Sequence, residues 1–152
     1  MNISQKSILF LFQCLLAAGI FQGCCGHISQ DKQVCFGRHC FYVEVAQDPA
    51  ATRLGLQFRK SMAPNKGMLF VFHESSQHDF WMKNTLIALD IIWLDEKGRV
   101  IFIAQDLTAC KEIPCPRYGP REESRYVLEI NAGLAKTLGL KNGGTASLPF
   151  NF

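Results

Sequence analysis

The hydrophobic pattern of the chain is strongest between residues 80 and 104, which read FWMKNTLIALDIIWLDEKGRVIFIA. Two apolar runs, residues 91–94 and 100–104, flank a four-residue polar loop that ends at Gly98. A glycine at the end of such a loop suits a type I turn closed by a left-handed residue. Because neither run alternates with polar residues, both strands are expected to be buried on both faces. The pattern therefore predicts a β-hairpin in the middle of a sheet.

Weaker patterns on either side of this hairpin predict further strands. Alternating or short apolar segments indicate strands at residues 41–46, 68–72, 125–131 and 145–150. Together with the hairpin they predict an α+β domain that is mostly antiparallel β, with a partly closed, barrel-like sheet and two short helices.

The two helices are predicted from their capping residues. Asp48 followed by Pro49 is typical of an N-cap and a first helical position. Asn131 is expected to cap the second helix, residues 132–140, with Leu134 and Leu138 facing the core.

The N-terminal residues are typical of a secretory signal. Lys6 precedes an apolar run over residues 8–21, which is too short to span a membrane comfortably. Gly23 followed by Cys24 resembles the lipoprotein cleavage site, so lipidation of Cys24 is predicted. The alternatives are a plain signal peptide that is cut nearby and an uncleaved anchor. We expect an exported protein, either a membrane-anchored lipoprotein or periplasmic.

This interpretation divides the chain into three parts. Residues 1–23 are the predicted signal peptide, and residues 24–40 are a tether that carries the first cysteine pair. Residues 41–152 are the single α+β domain.

Four cysteines lie beyond the signal region, in two pairs with four residues between partners: Cys35 with Cys40, and Cys110 with Cys115. In an oxidising compartment, two local disulfides are the simplest of three connectivities. A zinc site made of all four thiolates is the alternative, but its pairs would usually be closer in sequence. We therefore predict disulfides and no metal.

Charge and loop composition argue against several function classes. The formal net charge is +3 and no Lys/Arg cluster stands out, so a nucleic-acid partner is not expected. No Gly-rich loop follows a strand and opens a helix, so no nucleotide cofactor is predicted. The sequence indicates no oligomeric state.

Two carboxylates are candidate site residues because each interrupts an apolar run. Asp90 lies between Leu89 and Ile91, and Glu129 lies within VLEI. A buried carboxylate is costly unless it is paired. Arg59 and Lys83 are candidate partners, as are backbone amides around Asn84, and Trp81 could offer a stacking face. The predicted ligand-binding residues are Arg59, Trp81, Met82, Lys83, Asn84, Asp90 and Glu129.

Three functions agree with this pattern. The first is a binding module for a small polar ligand such as a glycan. The second is an envelope hydrolase in which Asp90 and Glu129 form an acid/base pair about 5–9 Å apart in one cleft. The third is a structural or partner-binding domain in which the carboxylates only fix loops or ion pairs.

Several segments resemble the family called domain of unknown function 192. They are GLQFRKSM, GMLFVF, FWMKNTLIALDIIWLDEKGRV, CPRYGP and YVLEINAGLAKTLGLKNGG, and the resemblance covers about residues 41–148. It implies a small, barrel-like α+β domain, often exported in bacteria, with no established activity. The chain differs from the family pattern at Gln57, commonly Met, at Ala88, commonly Pro, and at Gly144, often acidic.

Overall fold

The computed structural model describes residues 32–149. Within that range it contains six strands and two short helices. In chain order they are β1 (Gln33–Phe36), β2 (His39–Ala46), α1 (Pro49–Leu54), β3 (Lys66–Ser76), β4 (Leu89–Leu94), β5 (Val100–Leu107), β6 (Ser124–Asn131) and α2 (Leu134–Thr137).

The strands form one curled sheet in the order β1-β2-β3-β6-β4-β5. Only the β2–β3 pair is parallel, and α1 lies in the connection between its two strands. All the other neighbours are antiparallel. The predicted fold class, a mostly antiparallel α+β half-barrel with two short helices, is confirmed.

Both faces of the sheet are covered by hydrophobic side chains. One face, the α2-side core, contains Ile92, Leu128 and Ile130, and Leu134 and Leu138 pack against it as predicted. The other face, the α1-side core, has members that include Met68, Phe70, Met82, Ile91, Trp93 and Val127. Neighbouring residues of β4 and β6 alternate between the two cores because successive side chains of a strand point to opposite faces.

The central hairpin forms with the predicted loop, in which Gly98 has φ 76°. Every residue of β4 is buried, whereas β5 is only partly buried. The expectation that both strands lie in the middle of the sheet is right for β4 and wrong for β5. The physical reason is that β6 inserts between β3 and β4, which leaves β5 at an edge.

The segment after α2 links the two edges of the sheet. Thr145 forms a bridge with Arg99 at the start of β5, and Ser147 forms a bridge with Cys35 in β1. These isolated bridges stand where a final strand over residues 145–150 was expected. They partly close the barrel, and residues 150–152 lie outside the described range.

The predicted N-cap is confirmed for α1 and is wrong for α2. The Asp48 carboxylate accepts hydrogen bonds from two backbone N–H groups of α1. Asn131 does not cap α2, whose N-cap is Gly133 with φ 80°. The Asn131 side chain donates instead to the carbonyls of Met62 and Ala63, because it lies at the end of β6 beside that loop.

Two disulfides join the predicted pairs, Cys35–Cys40 and Cys110–Cys115. The first pair lies across the β1–β2 hairpin, so the sheet already begins at Gln33 and includes part of the segment assigned to the tether. The disulfides are compatible with an extracellular or periplasmic location. The predicted signal peptide and Cys24 lie outside the described residues.

No helix in residues 32–149 is long and apolar enough to cross a membrane.

Candidate functional site

The most unusual polar group in the described range is the carboxyl of Glu129, in the middle of β6. Glu129 is paired with Met68 on β3 and with Ile91 on β4, so it lies on the α1-side face between two apolar neighbours. It is 5% exposed, and its Oε2 atom has no hydrogen-bond partner among the described residues. A buried polar group of this kind costs about 1–3 kcal/mol if it stays unsatisfied.

Burial raises the pKa of Glu129 to about 8, because the charged form loses its hydration. The positive charge of Arg59 lowers this pKa, but by less than burial raises it. At neutral pH the carboxyl is therefore mostly protonated and can both donate and accept a hydrogen bond.

Glu129 lines a small cavity of about 40 Å³. A water molecule takes about 30 Å³ in the liquid, so the cavity has room for roughly one small functional group. Its walls come from α1 and the turn after it, from β3, and from the segment that contains FWMKNT. The lining residues are Thr52, Arg53, Leu54, Gly55, Leu56, Gln57, Phe70, Phe80, Trp81, Thr85 and Glu129.

Two segments that contribute residues to this cavity are hydrogen-bonded to each other just beyond it. The backbone N–H of Phe58 donates to the Asn84 carbonyl at 2.8 Å, and the Asn84 side chain donates to Gln57 Oε1 at 3.2 Å. Phe58 and Asn84 both have positive φ, 63° and 56°. This backbone conformation is uncommon for a bulky residue such as phenylalanine and often occurs at functional sites.

The turn directly after α1 packs closely against Phe70, a residue that lines the cavity, because the turn contains a glycine. Gly55 has φ 51°, and a Cβ atom there would lie 3.3 Å from the Phe70 ring. A larger residue would be strained by its backbone angle and would also press on Phe70.

Trp81 lies at the mouth of the cavity and is 40% exposed. The Lys83 ammonium lies 5.4 Å from the centre of the Trp81 ring, and the Arg117 guanidinium lies 4.9 Å from it. These are cation–π distances. Arg53 lines the cavity as well, so the mouth combines an aromatic ring with positive charge.

Asp90 lies on the opposite face of the sheet from Glu129. It is directly paired with Ile130, a member of the α2-side core, whereas Glu129 is paired with Ile91, a member of the α1-side core. The sheet therefore separates the two carboxylates. They do not face one cleft, and the geometry excludes them as the acid/base pair of a hydrolase.

The Asp90 carboxylate is fully buried and bonded to two backbone N–H groups. Its Oδ1 accepts from Asp106 at 2.9 Å and its Oδ2 accepts from Ala135 at 2.8 Å. Asp106 belongs to a bulge in which β5 has one more residue than β4, and Ala135 lies in the first turn of α2. Asp90 thus fixes a bulge and caps a helix. Neither Arg59 nor Lys83 balances its charge.

The other predicted ligand-binding residues, apart from Trp81, make contacts in different parts of the structure. Arg59 forms an ion pair with Glu44, and the hydrogen bond from Arg59 holds the pKa of Glu44 below its usual value. Met82 is buried in the α1-side core. Lys83 contacts the Trp81 ring, and the Asn84 side chain donates a hydrogen bond to Gln57.

Sequence reasoning missed Arg53, Gln57 and Thr85 as parts of the site. Thr85 is buried and its hydroxyl lies 3.4 Å from the Lys83 carbonyl. The signal for Thr85 was its place in FWMKNT, next to the predicted Asn84. The signal for Gln57 was its departure from the family pattern.

No group of three or more His, Cys, Asp or Glu side chains within residues 32–149 is arranged to hold a metal ion.

Comparisons with known proteins agree with this architecture. The family model of domain of unknown function 192, described as an uncharacterized ACR, matches residues 32–148. A solved structure from Sinorhizobium meliloti 1021, described as a candidate transcription regulator, is similar with a TM-score of 0.71 and 36% identity, over 77% of this chain and 92% of that one.

A protein of unknown function from Novosphingobium aromaticivorans DSM 12444 has a TM-score of 0.70 and 33% identity, over 76% of this chain and 83% of that one. None of the curated proteins compared with the chain matches it significantly. The match of the family model over most of the chain, with the half-barrel it forms, shows that this protein belongs to the domain of unknown function 192 family.

Proposed function

We propose that the protein is an exported binding module for a small polar ligand and that Glu129 is the group that holds this ligand. The observation that carries the proposal is the free Oε2 atom of Glu129, buried beside a cavity whose mouth lies at Trp81. Several polar side chains converge on this cavity, and convergent polar groups are typical of small-molecule sites. A perturbed pKa in such a place further supports a functional role.

The size and chemistry of the cavity favour a hydroxyl group. A cavity of about 40 Å³ admits one small substituent, so the rest of the ligand would lie outside, beside Trp81. A protonated Glu129 donates one hydrogen bond and accepts others, as does the Thr85 hydroxyl, and a ligand hydroxyl matches both. An ammonium group fits less well because Arg53 lines the same cavity. A sugar or another polyol has the required chemistry.

The ligand test compares two Glu→Met substitutions. Methionine is close to glutamate in size but makes no strong hydrogen bond. We expect Glu129→Met to weaken the binding of a neutral saccharide about tenfold or more, because a buried hydrogen bond contributes about 1–3 kcal/mol. Glu96→Met, at an exposed position in the β4–β5 loop, should leave binding unchanged. The measurement is saturation-transfer NMR with neutral mono- and disaccharides, followed by titration of those that bind.

Equal saccharide affinity in wild type and Glu129→Met would contradict the role of Glu129. Failure of every saccharide to bind the wild type would contradict the ligand class.

Export with acylation at Cys24 is the second part of the proposal. It is supported by Lys6, the apolar run over residues 8–21 and the Gly23-Cys24 pair, and two disulfides in the folded domain are compatible with it. Radiolabelled palmitate should be incorporated into the wild-type protein and should be absent from Cys24→Ser. Full-length, unlabelled protein in the cytoplasm would contradict both export and acylation.

A further inference from the structure

We infer that the surface around the cavity mouth docks onto an anionic phospholipid membrane. Four large apolar side chains are exposed there, and we call them the mouth face: Leu54 (54% exposed), Phe58 (62%), Trp81 (40%) and Leu86 (56%). Single exposed apolar side chains are normal on a protein surface, but a contiguous group of them is typical of an interaction site.

The four residues come from two segments that lie side by side. Leu54 and Trp81 line the same cavity. The Phe58 backbone N–H donates to Asn84, two residues before Leu86, at 2.8 Å. The mouth face is therefore built on two adjoining segments, the end of α1 with the turn after it and residues 81–86.

Phe58 is held outward at a cost in backbone energy. Its φ of 63° is in the left-handed region, which is unfavourable for a bulky residue that is not glycine, asparagine or aspartate. The chain thus keeps a phenylalanine in an unfavourable conformation and exposes most of its side chain to solvent. An interaction made by that side chain explains both features.

Positive charge surrounds the mouth face. Arg53 lines the cavity next to Leu54, and Lys83 and Arg117 lie 5.4 Å and 4.9 Å from the Trp81 ring centre. Tryptophan and phenylalanine beside lysine and arginine are typical of surfaces that rest at the membrane interface, with rings among the acyl chains and cations at the phosphates. Each cation near an anionic membrane surface strengthens binding to it.

The charges favour a membrane over a second copy of the chain. A symmetric dimer through the mouth face would bring Arg53, Lys83 and Arg117 of one copy close to the same residues of the other. Like charges brought together in this way oppose association. An anionic lipid surface complements the same three side chains.

Docking of this kind would supply a second attachment beside the proposed acyl group at Cys24. The nine residues 24–32 reach at most about 30 Å when extended, so the sheet that begins at Gln33 stays within reach of the lipid surface. The docking itself depends on the mouth face alone, so it is expected whether or not Cys24 is acylated.

The two tryptophans of the chain make a direct test possible. Trp93 is fully buried in the α1-side core, whereas Trp81 belongs to the mouth face. The full chain is mixed with vesicles of phosphatidylglycerol and phosphatidylcholine in which one lipid carries bromine atoms that quench tryptophan. We expect quenching of Trp81 emission, at least several-fold weaker vesicle binding with pure phosphatidylcholine, and a similar weakening at about 1 M salt, where the Debye length is about 3 Å.

The variant that tests the face is Phe58→Asn with Leu86→Gln. Asparagine tolerates the positive φ of Phe58, so this variant removes apolar surface without new backbone strain. We expect vesicle binding to weaken about tenfold, as two exposed apolar groups are lost. Ile113→Gln, at a residue 87% exposed in another loop, is the matched control and should bind as wild type does.

Three results would overturn the proposal. One is unquenched Trp81 emission in anionic vesicles. Another is equal vesicle binding by wild type and the double variant. The third is concentration-dependent burial of Trp81 without vesicles, seen with dimerisation in sedimentation, which would assign the face to self-association.

Discussion

Glu129→Gln should be more stable than the wild type at alkaline pH, and this advantage should disappear in acid. Glutamine has nearly the same shape as a protonated glutamate but never ionises. In the folded wild type the pKa of Glu129 is raised to about 8 from the ordinary 4.5, because burial opposes the charged form. The substitution removes the requirement to keep a proton on a buried carboxyl.

The sign follows from the protons bound in each state. Between pH 4.5 and 8 the folded wild type keeps the Glu129 proton and the unfolded chain has released it. The free energy of unfolding contributed by this group is therefore fully present below pH 4.5 and is lost as the pH rises to 8. The slope is about 1.4 kcal/mol per pH unit inside that window and zero above it.

Urea unfolding of both proteins at several pH values measures this effect. The difference between variant and wild type should grow from about pH 4.5 to about pH 8 and then stay constant. The other titrating groups contribute equally to the stability of both proteins, so their contributions cancel in the difference. One of these groups is His78, whose pKa is lowered by burial. Glu96→Gln is the matched control, since Glu96 is exposed. A difference for Glu129→Gln that does not change with pH would contradict a raised pKa.

Asp90→Asn should destabilise the protein markedly, with no effect on ligand binding. The carboxylate accepts two buried backbone hydrogen bonds, from Asp106 and Ala135. Asparagine offers one oxygen and one NH₂ group, so it can accept one of them while its amide hydrogens face the other N–H. The loss should be about 2–3 kcal/mol, or roughly 10 °C in melting temperature.

Asp106→Asn is the matched control for this prediction. It makes the same chemical change beside the same bulge, but the Asp106 side chain is exposed and its φ of 54° suits asparagine. Calorimetry of the two variants should show a large loss for Asp90→Asn and little change for Asp106→Asn. A small loss for Asp90→Asn together with weaker saccharide binding would show instead that Asp90 belongs to the site.

The local features of this fold could be predicted from the sequence because they depend on neighbours in the chain. The β4–β5 loop with its left-handed Gly98 and the Asp48 cap of α1 are of this kind. The position of β5 at the sheet edge could not be predicted. It depends on β6, which follows β5 in the chain but pairs with β3 and β4.

The dependence on distant segments of the chain also explains why the candidate site was predicted only in part. Both carboxylates stood out because each interrupts an apolar run. Which face each one occupies depends on the register between β4 and β6, where Ile91 rather than Asp90 is paired with Glu129. A shift of one residue would have placed them on the same face. The cation sought for Asp90 was also unnecessary, because backbone N–H groups from distant segments satisfy it.

The most direct test of the account is the titration of the Glu129 carboxyl itself. Carbon NMR of the full chain can follow the side-chain carboxyl carbon of each glutamate from roughly pH 4 to pH 10, with Glu129 assigned by its absence in Glu129→Gln. We expect a midpoint near 8 and a shift of this signal when a neutral saccharide is added. A midpoint near 4.5, or a signal that no saccharide perturbs, would contradict it.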